Sequence, residues 1–145
     1  IMPEHVIVPF DGSELSKKAL EYACETFGTS TITVLYVVDS HSDETAAIGW
    51  GDHPSEWDDW LEERREHAED LFGTARTIAN DYDVSLQTGV AVGRVVEMII
   101  EAADEYGADH IVVGTHGRPH LEEFLLGSVA EGLVRRSPLP VTTIR

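Results

Sequence analysis

The apolar residues of this chain follow two alternating patterns along its length. In some segments they form short, β-branched runs, which are typical of buried strands. In others they recur every three or four positions, which is typical of helices that bury one face. These patterns predict five strands, at His5–Pro9, Thr31–Val38, Ser85–Val92, Ile111–Val113 and Val141–Ile144. They also predict four helices between the strands, at 14–27, 55–80, 94–106 and 128–136.

Capping and breaking residues stand at the predicted element ends. Ser13 can cap the first helix through its hydroxyl, and Gly28 ends that helix. Gly107 ends the third helix, and Pro140 precedes the last strand. Residues 39–54 contain glycine and proline without a clear apolar period, so we predict a long loop there.

The alternation of strands and helices predicts an α/β fold with a parallel sheet covered by helices on both faces. Five strands connected in this way commonly take the order 3-2-1-4-5, which gives one three-layer, doubly wound domain over residues 1–145. Ligands of such folds bind at the carboxyl ends of the strands, where the order reverses between strands 1 and 4. Asp11 and Gly12 follow strand 1, and residues 114–117 follow strand 4. We therefore expect these two loops to form one crevice.

A glycine-rich motif follows the fourth predicted strand. Gly114-Thr115-His116-Gly117 is followed by nine residues and then by Gly127-Ser128, at the start of the last predicted helix. Glycines allow the backbone to approach an anion closely, and a helix N-terminus offers N–H groups and the positive end of the helix dipole. The motif therefore predicts a phosphate-binding site.

With this motif, the chain resembles the ATP-binding type of the universal stress protein (UspA) family over its whole length. The family's ATP-binding signature is Gly, two residues, Gly, nine residues, Gly and then Ser or Thr, which this chain matches. Further points of resemblance are residues 7–13 (IVPFDGS), 35–39 (LYVVD), Gly93, 108–114 (ADHIVVG) and 140–141 (PV). The resemblance implies a Rossmann-like, adenine nucleotide alpha hydrolase-like fold.

The resemblance also implies which residues would contact an adenine nucleotide. Asp11 would accept hydrogen bonds from the ribose hydroxyls, Val37 would offer backbone groups to the adenine edge, and a divalent ion, Mg²⁺ or Mn²⁺, would bridge the phosphates. The residues near the base and ribose would be Pro9, Phe10, Asp11, Val37, Val113 and Gly114. Those near the phosphates would be Gly117, Gly127, Ser128 and Val129, with Arg118 as a further candidate contact.

Several of these residues also have plainer interpretations. Asp11 before Gly12 is a common turn sequence, and Ser128 could act only as a helix N-cap. His116 and His120 could contact phosphates or a metal, or could be exposed loop histidines. A metal site needs three or four convergent ligands, which the sequence does not establish, so we predict no protein metal site.

Three tryptophans cluster near the second predicted helix. Trp57 and Trp60 are three positions apart and therefore share a helix face. We expect that face to pack on the sheet, with a lid or a partner surface as the alternative. The position of Trp50, in the predicted loop, favours neither interpretation.

The excess of acidic residues limits the kinds of partner that the protein can bind. The formal net charge is −17, from 27 acidic and 10 basic residues, and the acids are spread over the whole chain. Such a balance repels nucleic acids and anionic membranes, so neither is an expected partner. Dense carboxylates are also typical of proteins adapted to molar salt, which favours a halophilic archaeal origin. The alternative is an ordinary acidic protein.

Cysteine content and hydropathy indicate the compartment. Cys24 is the only cysteine, so an intrachain disulfide is impossible, and we expect it to be a core residue in a cytoplasmic protein. No stretch of 18 apolar residues is present, and no signal peptide is visible at the N-terminus.

The sequence thus predicts an adenine-nucleotide-binding regulator or sensor of the stress response. It lacks the Gly-x-x-x-x-Gly-Lys-Ser/Thr loop, and Lys17 and Lys18 lie far along the chain from the glycine motif, so we expect at most slow ATP hydrolysis. The alternatives are an ATP-hydrolysing or nucleotidyl-transferring enzyme, and a nucleotide-free dimerisation module. A homodimer through the last strand, Val141–Ile144, is also expected, because an apolar edge strand is a pairing template.

Overall fold

The protein is represented by a computed structural model, which describes residues 2–40, 54–115 and 127–145. The strands are β1 (His5–Pro9), β2 (Thr31–Asp39), β3 (Leu86–Gly93), β4 (His110–Gly114) and β5 (Val141–Ile144). The helices are α1 (Glu14–Thr26), α2 (Pro54–Asn80), α3 (Val95–Tyr106) and α4 (Ser128–Arg136).

The five strands form one parallel sheet in the order β3-β2-β1-β4-β5, which confirms the predicted fold. β1 lies at the centre and pairs with β2 on one side and with β4 on the other. The reversal of strand order therefore falls beside β1, between the loops that follow β1 and β4.

Two apolar layers cover the sheet, one on each face. Alternate residues of β1 enter different layers: Val6 and Val8 join the layer under α1 and α2, whereas Ile7 joins the layer under α3 and α4. Cys24 lies in the α1–α2 layer as predicted, and burial raises the pKa of its thiol to about 11. This thiol is therefore protonated at neutral pH and unreactive.

The helix ends follow the predicted local chemistry at two positions. The Ser13 hydroxyl accepts a hydrogen bond from the Ser16 backbone N–H at 3.2 Å and so caps α1. Gly107 ends α3 in the left-handed conformation, with φ of 72°, where its N–H bonds to the carbonyls of Ala103 and Asp104.

Several predicted boundaries are wrong by one residue. β3 covers Leu86–Gly93, β4 covers His110–Gly114, and α3 begins at Val95. β2 runs one residue further than predicted, to Asp39, because it continues to pair with β3 as far as Gly93. α1 ends at Thr26, and α2 begins at Pro54. Of the predicted loop, residues 41–53 lie outside the described part of the chain, as does Trp50.

The opposite end of the sheet is closed by polar contacts. The Asp109 carboxylate accepts hydrogen bonds from the backbone N–H groups of Glu4 and His5, at 3.0 and 3.1 Å. These bonds hold the pKa of Asp109 below its usual range. They tie the entry of β1 to the entry of β4. Across the described ranges, no helix is both long and apolar enough to cross a membrane.

Candidate nucleotide-binding site

A cavity of about 780 Å³ opens at the carboxyl ends of the strands, beside the point where the strand order reverses. Its volume lies within the range of roughly 300–1,000 Å³ that is usual for small-molecule sites. The strand ends supply its floor, α1 and α4 contribute their N-terminal turns, and α2 and α3 contribute side walls.

Every predicted site residue that the structure describes lines this cavity. These residues are Pro9, Phe10, Asp11, Val37, Val113, Gly114, Gly127, Ser128 and Val129. Gly117 and Arg118 lie outside the described residues, as do His116 and His120. The strand order therefore brings together residues from positions 9 to 129 of the sequence.

The end of β1 forms part of the cavity floor. The Phe10 backbone N–H donates to the Leu35 carbonyl at 2.9 Å, which fixes the chain as it leaves the sheet. The Phe10 side chain is only 2% exposed and belongs to the apolar layer under α1 and α2. Val37 and Val113 pack instead on the layer under α3 and α4, so the cavity spans both apolar layers.

Asp11 has the turn geometry that its sequence context predicts, and it also faces the cavity. Its Oδ1 accepts a hydrogen bond from the Ser13 N–H at 2.9 Å, and Gly12 adopts φ of +83°. A carboxylate has a second oxygen that can accept hydrogen bonds, and the Asp11 side chain is exposed. The turn and ligand-binding interpretations are therefore compatible, because the turn aims this carboxylate into the cavity.

The two described ends of the glycine motif lie side by side. The Gly127 N–H donates to the Thr115 carbonyl, and the Thr115 N–H donates to the Ile144 carbonyl at 2.8 Å. β4 and the start of α4 are thereby joined at one corner of the cavity.

The N-terminus of α4 points into this corner. Gly127, rather than Ser128, is the N-cap residue, and as a glycine it has no side chain that could cap the helix. Ser128 is the first helical residue and is exposed, so the alternative interpretation of Ser128 as the N-cap is wrong. The backbone N–H groups and the helix dipole at this end suit an anionic group.

Two residues on α2 line the cavity without having been predicted. Trp60 is buried against Val38 at the end of β2, and Arg64 lies one helical turn further on, with its guanidinium carbon 5.8 Å from the Trp60 ring centroid. Trp57 stacks on Trp60 with ring centroids 5.1 Å apart. The predicted packing of the tryptophan face on the sheet is thus confirmed, and that face also borders the cavity.

The charges around the cavity are unevenly placed. Asp11 and Asp39 contribute carboxylates, and among the described lining residues Arg64 is the one that carries a positive charge. Within the described ranges, no group of three or more His, Cys, Asp or Glu residues could hold a metal ion.

The fold is that of a recognised class of α/β proteins. The sequence profile of the universal stress protein family matches residues 2–145, so the chain belongs to that family. Universal stress protein MJ0577 of Methanocaldococcus jannaschii is 26% identical over 156 aligned residues, which cover 100% of this chain and 96% of that relative. The stress response protein NhaX of Bacillus subtilis is 29% identical and is covered to 98%, as is this chain.

Solved structures show the same architecture. Universal stress protein UspA from Lactobacillus plantarum superposes with a TM-score of 0.80 at 25% identity, over 100% of this chain and 99% of its own. A universal stress protein solved in complex with cAMP has a TM-score of 0.69, and an Arabidopsis thaliana member solved with AMP bound has 0.66. Those two are 22% and 19% identical to this chain and cover 100% and 98% of it. The aligned regions include 98% of the cAMP-bound chain and 91% of the AMP-bound chain. At this level of identity, the comparison shows a shared fold only.

Proposed function

We propose that this protein binds ATP or another adenine nucleotide in the cavity beside β1 and acts as a regulator or sensor in the stress response. The observation that carries the proposal is the convergence, in one cavity of nucleotide size, of the exposed Asp11 carboxylate and the N-terminus of α4, which begins at a glycine N-cap. The first suits ribose hydroxyls and the second suits phosphates. Relatives of the same fold that hold cAMP and AMP support the choice of an adenine nucleotide.

Each lining residue has a role in this proposal. Pro9, Phe10 and Val37 enclose the adenine, and Asp11 binds the ribose. Val113 and Gly114 lie beneath the ribose. The phosphates are held by Gly117, Gly127, Ser128 and Val129, with Arg118 as an additional contact.

A divalent ion, Mg²⁺ or Mn²⁺, would neutralise the phosphates. The donors at this site fit such an ion, because Mg²⁺ is commonly held by one or two carboxylates together with substrate phosphates. Because Asp11 is assigned to the ribose, the ion would be held mainly by the phosphates, and the Asp39 carboxylate and the Ser13 and Ser128 hydroxyls line the same cavity. The ion would supply charge neutralisation, and the protein would supply the cradle.

The alternative function, an ATP-hydrolysing or nucleotidyl-transferring enzyme, requires a positioned base as well as a phosphate site. Asp11 is already engaged in the turn with Ser13 and is assigned to ribose here. We therefore propose slow turnover or none. A turnover number in the ordinary enzyme range, roughly 1–1,000 per second, would favour the enzyme and contradict the regulator.

Four further properties belong to this proposal. The chain forms one universal stress protein domain, is cytoplasmic, is adapted to high salt in a halophilic archaeon, and dimerises through β5. All four β5 residues, Val141–Ile144, remain partly exposed at the edge of the sheet, which leaves this strand open to a partner. A nucleotide-free dimerisation module would share the β5 interface but would lack the ligand.

Two measurements test this proposal. The first identifies any small molecule that is released when the purified protein is denatured. The second is a calorimetric titration with ATP and with GTP in molar KCl with Mg²⁺. We expect an adenine nucleotide in the first measurement and tighter binding of ATP in the second. Gly127→Leu would obstruct the phosphates while leaving the sheet intact. Equal ATP affinity of this variant and the parent would show that the phosphates bind elsewhere.

A further inference from the structure

The wall that α2 contributes to the cavity has a defined position above the sheet. Leu71 contacts the chain at Gly12, where its Cδ2 lies 2.7 Å from the position that a Cβ would occupy. About three helical turns towards the N-terminus of α2, Trp60 packs on Val38. Arg64 lies between these two anchors along the helix, and it borders the cavity.

Arg64 differs from its neighbours on α2 in burial. Glu62, Glu63, Arg65 and Glu66 are exposed, whereas Arg64 is half-buried. Its guanidinium lies by the face of the buried Trp60, an arrangement that attracts the cation to the ring and limits the conformations of a long side chain. The Arg64 side chain is therefore restricted at the border of the cavity, which lowers the entropy lost when it binds a ligand there.

The charges of the lining residues make Arg64 important for binding an anionic ligand. The described lining residues include two carboxylates, Asp11 and Asp39, and one cation, Arg64, in a protein of net charge −17. A nucleotide brings several further negative charges. A guanidinium can bind a phosphate through two parallel N–H···O bonds, and it stays charged at any physiological pH.

We propose that Arg64 is a phosphate-binding residue of the nucleotide site, supplied by α2 from the side of the cavity that faces away from the glycine motif. This inference rests on the proposed nucleotide-binding function. It adds a specific contact to that function: the phosphate chain would lie between the α4 N-terminus on one side and the Arg64 guanidinium on the other. Trp60 would hold Arg64 in place and would act as a positioning residue.

The adjacent Arg65 provides a matched control, because Arg64→Gln and Arg65→Gln change the net charge equally while only Arg64 borders the cavity. The affinities of ATP, AMP and adenosine are measured by calorimetry at one fixed KCl concentration with Mg²⁺, for the parent and both variants. We expect Arg64→Gln to weaken ATP binding roughly tenfold or more, as for other hydrogen bonds to charged groups. We expect a smaller loss for AMP, adenosine binding within about twofold of the parent, and all three ligands unchanged in Arg65→Gln.

Arg64→Lys provides a second variant if the glutamine substitution disturbs α2. It keeps the charge and the alkyl stem but loses the planar fork, so we expect an intermediate loss for ATP and none for adenosine. Equal losses in Arg64→Gln and Arg65→Gln, or an equal loss for ATP and adenosine, would overturn the inference while leaving nucleotide binding intact. Failure of the parent to bind any of the three ligands would overturn the proposed function itself, together with the inference.

Discussion

The backbone of Leu15 occupies the space next to Gly114 where a side chain would begin. A Cβ on Gly114 would lie 2.8 Å from the Leu15 carbonyl carbon and oxygen, at the first turn of α1. The contact is with backbone, which cannot rotate away. The glycine at this position is therefore required by the packing of α1 on β4, independently of any ligand.

Gly114→Ala should consequently destabilise the fold, because α1 must shift to make room for the methyl group. We expect a loss of about 1–3 kcal/mol in the free energy of unfolding, as is usual for overpacking. Gly73→Ala is the matched control, because Gly73 lies inside α2 with no atom within 4 Å of its Cβ position. This control should gain about 0.5–1 kcal/mol from helix propensity. Urea denaturation measures both, and equal stability of the two variants would contradict the packing argument.

Asp11→Asn should weaken nucleotide binding without disturbing the turn. The asparagine carbonyl oxygen can still accept the bond from the Ser13 N–H, but its amide nitrogen cannot accept from a ribose hydroxyl. We expect the ATP affinity to fall roughly tenfold or more, since hydrogen bonds to charged groups contribute about 1.5–3 kcal/mol. Calorimetric titration with ATP and with 2′,3′-dideoxy-ATP tests the assignment. A substitution that costs both ligands the same affinity would mean that Asp11 does not bind the ribose.

Thr143→Pro should weaken the proposed dimer while preserving the monomer. The Pro140 and Ile144 carbonyls accept hydrogen bonds from the N–H groups of Ile111 in β4 and of Thr115 directly after it. The backbone groups of successive residues in a strand point to opposite sides, so the Thr143 N–H faces outward. Proline at this position removes a donor only on the open edge of the sheet. Light scattering in high salt should show a lower dimer fraction for this variant. The control is Thr142→Pro, which should break the β4–β5 pairing and unfold the edge. A dimer that tolerates Thr143→Pro would place the interface elsewhere.

The thermal midpoint should rise with KCl concentration. The chain carries 27 acidic against 10 basic residues, and screening shortens the range of their repulsion from about 10 Å at 0.1 M to about 3 Å at 1 M. Exposed ion pairs such as Arg135–Glu131, at 2.8 Å, will also be screened, but each contributes at most about 1 kcal/mol. A midpoint that stays constant or falls between low and molar KCl would remove the argument for salt adaptation.

Stability should fall as the pH drops below about 6.5, and His110 should contribute to that fall. Burial holds the pKa of His110 below its usual value, and the opposing effect of Asp109 is smaller. As the pH falls, the His110 imidazole therefore takes up a proton in the unfolded chain before it does so in the folded protein. The stabilisation from the neutral imidazole is complete above the pKa of the unfolded chain. It is lost as the pH falls through the lower pKa of the folded protein. His110→Gln should therefore show a shallower decline in urea midpoint between pH 7 and pH 5. Parallel declines for variant and parent would contradict this.

Local sequence chemistry was sufficient to predict most of the framework. Ser13 caps the start of α1 through its side-chain oxygen, and Gly107 ends α3 because glycine readily adopts the left-handed conformation. The β-branched composition of β2 predicts a buried strand, which the structure confirms. The strand order then determines which loops meet, and this is why Asp11 and Gly127 could be expected in one cavity although 116 positions separate them.

The α2 wall could not be predicted in the same way. Helical periodicity indicates which face of α2 is apolar, but not how far the helix extends beyond the edge of the sheet. That distance depends on where Leu71 meets Gly12 and Trp60 meets Val38, which are tertiary contacts. Gly132 is a similar case, because the sequence pattern gives no reason for a glycine inside α4. In the structure, a Cβ at this position would lie 2.8 Å from a Val96 methyl group on α3, so the glycine allows the two helices to pack closely.

The unequal anchoring of α2 divides its 27 residues into two stretches of different local stability. From Ala68 onward its buried residues join the main apolar layer, whereas before that point it is held to the sheet end chiefly around Trp60. Segments with few buried apolar contacts open at lower free energy than the core. We therefore expect the N-terminal half of α2 to open at lower free energy than the rest of the molecule. Among the described lining residues of the cavity, this half carries the one with a positive charge, Arg64.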